Sequence, residues 1–184
     1  VMMGLMLMTM SSFAANYKVD TENAHAFIQF RIKHLGYSWL YGRFDKFDGQ
    51  FSYDAKAPEK SQVSVVIDTT TLDTNHAERD KHLRDDRFFN VKKFPQARFV
   101  STSYTPSADP KKGKLQGTLT LKGVSKPVVI DVEQVGAGPD PWGGTRVGFT
   151  GKTTITLKDF GFDFDLGPAS TQAEIMLDIE GVKQ

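Results

Sequence analysis

The chain has 184 residues and a formal net charge of +1, from 23 basic and 22 acidic side chains. This length suits one domain with a sizeable core. The balanced charge and the lack of basic runs argue against nucleic acid as a partner. No cysteine is present, which excludes disulfides, thiolate metal sites and cysteine nucleophiles.

The first ten residues are apolar but too few to cross a bilayer. Ser12 and Ala14 provide small residues at positions −3 and −1 of a cleavage site after Ala14. We therefore predict a signal peptide over residues 1–14 and a single mature domain over residues 15–184. A buried strand or helix is the alternative for the first segment. No later apolar run reaches spanning length, so we expect no stable membrane insertion.

Most of the mature chain alternates apolar and polar residues, as strands with one buried face do. The pattern predicts about eight antiparallel strands joined mostly by hairpins. The predicted inward rows are Ile28, Phe30 and Ile32; Val63, Val65 and Ile67; Leu115, Gly117, Leu119 and Leu121; Val128, Ile130 and Val132; Val147, Phe149, Gly151, Thr153, Ile155 and Leu157; Ala173, Ile175, Leu177 and Ile179. Glycine and proline predict turns at 48–49, 109–113, 123–127, 136–139 and 167–168.

Strands with one apolar face must hide that face, in a sandwich or in a closed barrel. Eight strands is about the number whose barrel holds one small ligand. Strands of about ten residues give a barrel roughly 25 Å tall. Small inward residues such as Ala97, Gly117, Gly151 and Ala173 favour a hollow interior, although they can also taper a filled one.

One charged helix is predicted over about residues 75–85, packed against the barrel. Asn75 as N-cap with Glu78 three residues later forms a capping-box pattern. Asp80 precedes Arg84 by four residues, and Glu78 precedes His82 by four, which predicts two favourable pairs. A lone charged helix of this kind is a natural lid or headgroup contact, and a solvated charged face is the alternative.

Motifs for catalysis or metal binding are weak. His25, His34, His76 and His82 are spaced so that no three or four of them can meet easily around one metal, so we predict no metal site. No motif of a serine hydrolase, zinc protease or phosphate-binding loop occurs. His76 and Asp80 lie one helical turn apart, however, and could form an oriented acid–base pair.

Five aromatic residues lie in or beside predicted loops and strand starts. They suit the mouth of a barrel that takes an apolar ligand, although ordinary core packing is an equal alternative. These residues are Trp39, Tyr41, Phe44, Phe47 and Trp142.

The chain resembles the YceI family of exported, lipocalin-like proteins over about residues 17–184. Each motif that carries this resemblance is weak alone, and their common order is specific. The motifs are Asp20 with His25, residues 34–39 and 42–44, residues 68–84 and 94–99, residues 117–124 with Pro127, residues 140–144, and residues 159–161. The resemblance implies an extended eight-stranded antiparallel barrel with a hydrophobic tunnel, located in the Gram-negative periplasm.

The same resemblance implies a carrier of long-chain isoprenoid lipid, such as an isoprenoid quinone or a polyprenyl phosphate, or of an acyl lipid, with no cofactor. The headgroup contacts carried over to this chain are His76, Arg79, Asp80 and His82. From the inward rows we predict that the tunnel wall consists of Phe30, Ile32, Val65, Ile67, Phe99, Leu119, Ile130, Phe149, Ile175 and Leu177. A monomer and a homodimer both stay open.

Two other functions remain as alternatives. The first is an enzyme that acts on a lipid or quinone headgroup through His76 and Asp80. The second is an interaction module whose filled barrel only displays the charged helix. A dry core without a cavity would favour the second alternative, and turnover that depends on His76 would favour the first.

Overall fold

The computed structural model of the protein describes residues 14–184. The predicted signal peptide therefore lies almost wholly outside the described residues. Within them there is one α-helix, α1 (Ala77–Arg84). The strands are β1 (Ala15–Val19), β2 (Ala26–His34), β3 (Ser38–Phe44), β4 (Phe47–Tyr53), β5 (Gln62–Asp68), β6 (Leu72–Asp73), β7 (Gln96–Pro106), β8 (Lys112–Leu121), β9 (Val124–Pro139), β10 (Thr145–Thr156) and β11 (Gln172–Lys183).

The strands form a closed antiparallel barrel. β1 and β2 pair with successive parts of β11, so together they act as one interrupted strand. β3 with β4, and β5 with β6, continue each other in the same way. When each such pair is counted as one strand, the barrel has eight strands in simple up-and-down order. The pairing of β1 with β11 closes the barrel. The predicted eight-stranded barrel with one helix is confirmed. None of the described helices has the length and apolar character that a membrane crossing needs.

Two predicted turns are wrong because their glycines serve inside strands. Gly49 lies within β4, where a Cβ would meet the side chains of Val65 and Val19 at 3.0 and 3.1 Å, so glycine permits close packing there. Residues 136–139 extend β9 and pair with β10. The turn follows them, where Asp140 Oδ1 accepts hydrogen bonds from the backbone N–H groups of Trp142 and Gly144.

The helix begins one residue later than the capping-box pattern predicts. His76 is the N-cap, and its Nδ1 accepts from Arg79 N at 3.2 Å. Asn75 has a φ of 61° and donates its N–H to Asp73 Oδ1, so it belongs to the preceding turn. The predicted Asp80–Arg84 pair is wrong as well. Asp80 is buried and accepts from the backbone N–H and the hydroxyl of Thr74.

Candidate functional site

The barrel encloses a cavity of about 900 Å³ with an almost wholly apolar lining. Its wall is built from the inward rows of the strands, because alternate residues of a strand point to the same face. All ten predicted tunnel residues border it: Phe30, Ile32, Val65, Ile67, Phe99, Leu119, Ile130, Phe149, Ile175 and Leu177. Whether they contact a ligand stays a prediction.

Several inward side chains keep solvent-accessible surface, which shows that the interior of the barrel is hollow. Phe30, Ile32, Val65, Ile175 and Leu177 all face the interior, yet each is only half-buried. A close-packed core leaves no such surface on its central residues. The filled-barrel alternative is therefore wrong for this chain.

The cavity opens at one end of the barrel only. Every exposed residue of its lining belongs to this end, and the lining residues of the other end are buried or half-buried. We call this end the mouth. Its exposed lining residues are Lys33, His34 and Leu35 from the β2–β3 hairpin, His82 from α1, Arg87 after the helix, and Phe164 and Asp165 before β11.

Aromatic side chains close the opposite end. The ring of Phe149 packs edge-to-face with the rings of Phe51 and Tyr53, with ring centroids 5.8 and 5.2 Å apart. The Tyr53 hydroxyl donates to Gln134 Oε1 at 3.1 Å and so links β4 to β9 across the barrel end. Burial raises the pKa of Tyr53 and of Tyr104, so both remain neutral phenols at neutral pH.

Of the four predicted headgroup residues, the structure brings two to the cavity. Arg79 and His82 line the mouth, whereas His76 and Asp80 do not. Arg79 is held in place by Thr74, whose hydroxyl and carbonyl accept from its Nε and Nη2 at 2.7 and 2.6 Å. His76 caps α1 and Asp80 bonds Thr74, so the predicted acid–base pair between them does not form.

Sequence reasoning missed Lys33, Leu35, Arg87 and Phe164 at the mouth. The hairpin pattern of β2 and β3 could have pointed to the first two, because a hairpin tip lies at a barrel end. The closeness of Arg87 and Phe164 depends on tertiary packing: Phe88 contacts Phe164 with ring centroids 5.0 Å apart.

The five predicted mouth aromatics lie in different places. Phe44 lines the cavity, and Phe47 packs against the main core. Trp39 and Tyr41 lie on the outer face of β3, and Trp142 lies at the tip of the β9–β10 hairpin, at the closed end. The prediction is therefore wrong for Trp142, because β9 and β10 extend together beyond the closed end.

A network of ion pairs fastens the outside of the closed end. Arg146 Nη1 lies 2.6 Å from Asp20 Oδ2 and 2.6 Å from Glu180 Oε1, and its Nε lies 3.0 Å from Asp140 Oδ2. The Asp20 side chain is only 4% exposed. His25 Nδ1 is 3.1 Å from Asp20 Oδ2. These groups have the spacing of metal ligands, but the guanidinium of Arg146 already neutralises the two carboxylates that a cation would need.

The pKa of Asp20 reflects this network. Burial alone would raise it, but hydrogen bonds from Arg146, His25 and Asn23 outweigh burial and hold it well below its usual range. The hydrogen bonds that Arg146 donates to Asp20 and Glu180 raise the pKa of Arg146 in turn. Asp20 and Arg146 are therefore both charged at neutral pH.

A family model described as "YceI-like domain" matches residues 17–182. The chain belongs to the YceI family. A UPF0312 protein of Pseudomonas aeruginosa (strain LESB58) is 56% identical over 173 residues, which cover 94% of this chain and 90% of that protein. Protein YceI of Salmonella arizonae is 53% identical over 180 residues, which cover 98% of this chain and 93% of that protein.

Solved structures share the fold. The YCEI protein of Campylobacter jejuni is 32% identical, with a TM-score of 0.75 over 83% of this chain and 90% of that one. A polyisoprenoid binding domain from Saccharophagus degradans, implicated in plant cell wall breakdown, is 15% identical, with a TM-score of 0.63 over 94% of this chain and 100% of that one. The second likeness shows the fold alone.

Proposed function

We propose that this chain is an exported, periplasmic carrier of a long-chain isoprenoid lipid, bound tail-first in the barrel. The observation that carries the proposal is the cavity: large, apolar and open at one end. A polar ligand would lose its hydrogen bonds to water on entering such a space, at a cost of several kcal/mol. An apolar chain gains about 0.8 kcal/mol for each methylene removed from water.

The shape of the cavity favours a long ligand over a compact one. Along β7 the lining runs from Ala97 to Tyr104. Seven steps at ~3.3 Å, tilted by ~40°, give a depth of roughly 18 Å along the barrel axis. The volume lies near the upper end of the range of about 300–1,000 Å³ for small-molecule sites. A narrow, deep space of this kind suits an extended tail.

The polar groups suit a headgroup at the mouth. Lys33, Arg79 and Arg87 bring positive charge there, beside His82 and the carboxylate of Asp165. A phosphate or a quinone oxygen could accept hydrogen bonds from these donors. The polyisoprenoid binding domain from Saccharophagus degradans has the same barrel fold, which is consistent with a prenyl tail. The apolar N-terminal segment supports export.

A substitution that fills the cavity tests the proposal. Ala173 lines the cavity and is buried, so Ala173→Phe places a ring in the path of the tail. Gly151 is less suitable, because even a Cβ there would lie 3.1 Å from Ile130 Cγ2. Gln116→Phe is the matched control, since Gln116 is exposed on the outer face of β8.

Binding of a fluorescent prenyl probe, added from ethanol, is then measured for the three proteins. We expect Ala173→Phe to weaken binding at least about tenfold, because the added ring takes space in the cavity that part of the tail would otherwise fill. We expect Gln116→Phe to bind as the parent does. Cooperative thermal unfolding of both variants shows that they are folded. A folded Ala173→Phe variant with the parent's affinity would contradict the proposal.

A further inference from the structure

The mouth exposes apolar side chains to solvent. Tyr37 is 87% exposed and Leu35 is 61% exposed, both at the tip of the β2–β3 hairpin. In the segment before β11, Phe164 is 48% exposed. The hairpin turn is well defined, with Tyr37 N donating to His34 O at 2.9 Å and Leu35 and Gly36 in the left-handed region. The chain thus holds these side chains outward in a fixed geometry.

The outer face of the same hairpin combines aromatic rings with cations. The indole of Trp39 lies between Arg31, 4.1 Å from its centroid, and Lys33, 4.5 Å away. Tyr41 follows on the same face, and its hydroxyl accepts from Arg31 Nη1. Tryptophan and tyrosine beside lysine and arginine is the composition of a membrane–water interface, where rings lie at headgroup level and cations reach phosphates.

We propose that the mouth docks on the surface of a phospholipid bilayer that contains anionic lipid, with Leu35 and Tyr37 inserted at headgroup depth. This inference rests on the proposed function, because it supplies the route by which a lipid reaches the cavity. Leu35 belongs both to the hairpin tip and to the cavity lining. The docked surface is therefore continuous with the cavity, and a tail could pass from bilayer to barrel without full exposure to water.

Charge at the mouth favours the hairpin side as the anchor. Lys33 lies at the rim, and an exposed lysine near an anionic membrane strengthens binding to that membrane. Asp163 and Asp165 flank Phe164 in the segment before β11, are exposed, and oppose close approach of anionic headgroups to Phe164. With one hairpin tip as its main apolar contact, the docking is shallow and reversible, as for proteins that lie on a membrane without spanning it.

The closed end of the barrel provides a matched control. Trp142 is 76% exposed at the tip of the β9–β10 hairpin, and so is an aromatic hairpin residue like Tyr37 but at the far end. Tyr37 does not line the cavity, so Tyr37→Ser changes the docking surface and leaves the tail site intact. Trp142→Ser removes a comparable exposed ring from the opposite end.

The experiment uses protein-free vesicles of phosphatidylethanolamine and phosphatidylglycerol, with vesicles of phosphatidylcholine alone for comparison. Flotation measures vesicle binding, and stopped-flow fluorescence measures transfer of a prenyl probe from the vesicles. We expect Tyr37→Ser to lower both on the order of tenfold, and Trp142→Ser to change neither. Binding should be weaker to phosphatidylcholine and at high salt, because salt screens the cations.

Three results separate the outcomes. Equal vesicle binding by the parent, Tyr37→Ser and Trp142→Ser would overturn the docking proposal, even if all three bind the probe added from ethanol. Concentration-dependent self-association that Tyr37→Ser abolishes, without vesicle binding by the parent, would also overturn it and assign the surface to a second copy of the chain. Failure of the parent to bind the ethanol-delivered probe would instead refute the proposed carrier function, whatever the vesicles show.

Discussion

The two ends of this barrel are built from the same strands but differ in their packing: one end is closed, and the other is the open mouth. At the closed end Tyr17 stacks on Phe51 at 5.1 Å, and Arg146 joins three carboxylates on the outside. At the mouth, aromatic and aliphatic side chains are exposed, and Lys33 lies at the rim. A barrel that binds and releases a lipid needs one end that opens readily, and the closed end can supply the stability that the hollow centre lacks.

The hollow centre makes this division necessary. Inward residues that face empty space lose the contacts that a packed core would give them. Stability must therefore come from places where side chains do meet, such as the apolar cluster of Tyr17, Val19, Phe51 and Val147. The comparison predicts that equal changes at the two ends have unequal effects on folding.

The largest contrast is expected between two phenylalanines. Phe51→Ala at the closed end should lower the free energy of unfolding by about 4 kcal/mol, because it empties a site packed against Tyr17, Phe149 and Gly181. Phe164→Ala at the mouth should cost about 1 kcal/mol or less, since its ring is half exposed. Urea unfolding of the ligand-free proteins measures both. Similar losses of unfolding free energy for the two variants would contradict the predicted difference between the two ends.

The next contrast concerns ion pairs with the same 2.6 Å distance. Arg146→Ala should destabilise the protein by about 3 kcal/mol, because it leaves Asp20 charged and buried without its main partner. Lys114→Ala removes a pair with Asp131 that is 62% and 71% exposed, and should cost about 1 kcal/mol or less. Thermal and urea unfolding of both variants provide the test. A loss for Arg146→Ala no larger than that for Lys114→Ala would show that the network is only a surface feature.

A smaller effect is expected in the pH dependence of folding. The pKa of Asp20 is lower in the folded chain than in the unfolded chain, so the unfolded chain binds more protons as the pH falls. Its contribution to stability is thus complete above about pH 4 and is lost in more acidic solution. Asp20→Asn should flatten the acid side of the stability profile by up to about 1 kcal/mol per pH unit.

Asp131→Asn is the control for this profile, because Asp131 belongs to an exposed pair. Urea unfolding at intervals between about pH 5 and pH 2 measures the slope. If Asp20→Asn and the parent lose stability in parallel over this range, Asp20 does not carry the effect.

Local patterns in the sequence predicted most of the wall. Residues such as Leu115, Leu119 and Leu121 alternate with polar neighbours, and this period of two decides which face of a strand is inside. All ten tunnel residues named from this pattern border the cavity. The pattern did not predict that the centre is empty, because small inward residues can have different structural roles. Gly117 makes room for the ring of Phe99, whereas Gly151 borders the cavity.

The polar site was harder to predict, because it depends on contacts between distant residues and on local competition for hydrogen bonds. Asp20 and Arg146 are 126 residues apart, and no local pattern joins them. Asp80 has the spacing for a pair with His76 or Arg84, but its carboxylate instead accepts hydrogen bonds from the backbone N–H and the hydroxyl of Thr74. The turn at Asp73 and Asn75 brings Thr74 to the Asp80 carboxylate, and the N-cap is His76 instead of Asn75 as a result.

The most direct test of the account is to identify what the cavity holds in the cell. The protein would be purified without detergent from the cells that naturally produce it, weighed intact by native mass spectrometry, and extracted with organic solvent for lipid analysis. We predict one prenyl lipid per chain, released together with the loss of the corresponding mass. An empty protein that also fails to take up added isoprenoid quinone would contradict the central claim that this barrel is a lipid carrier.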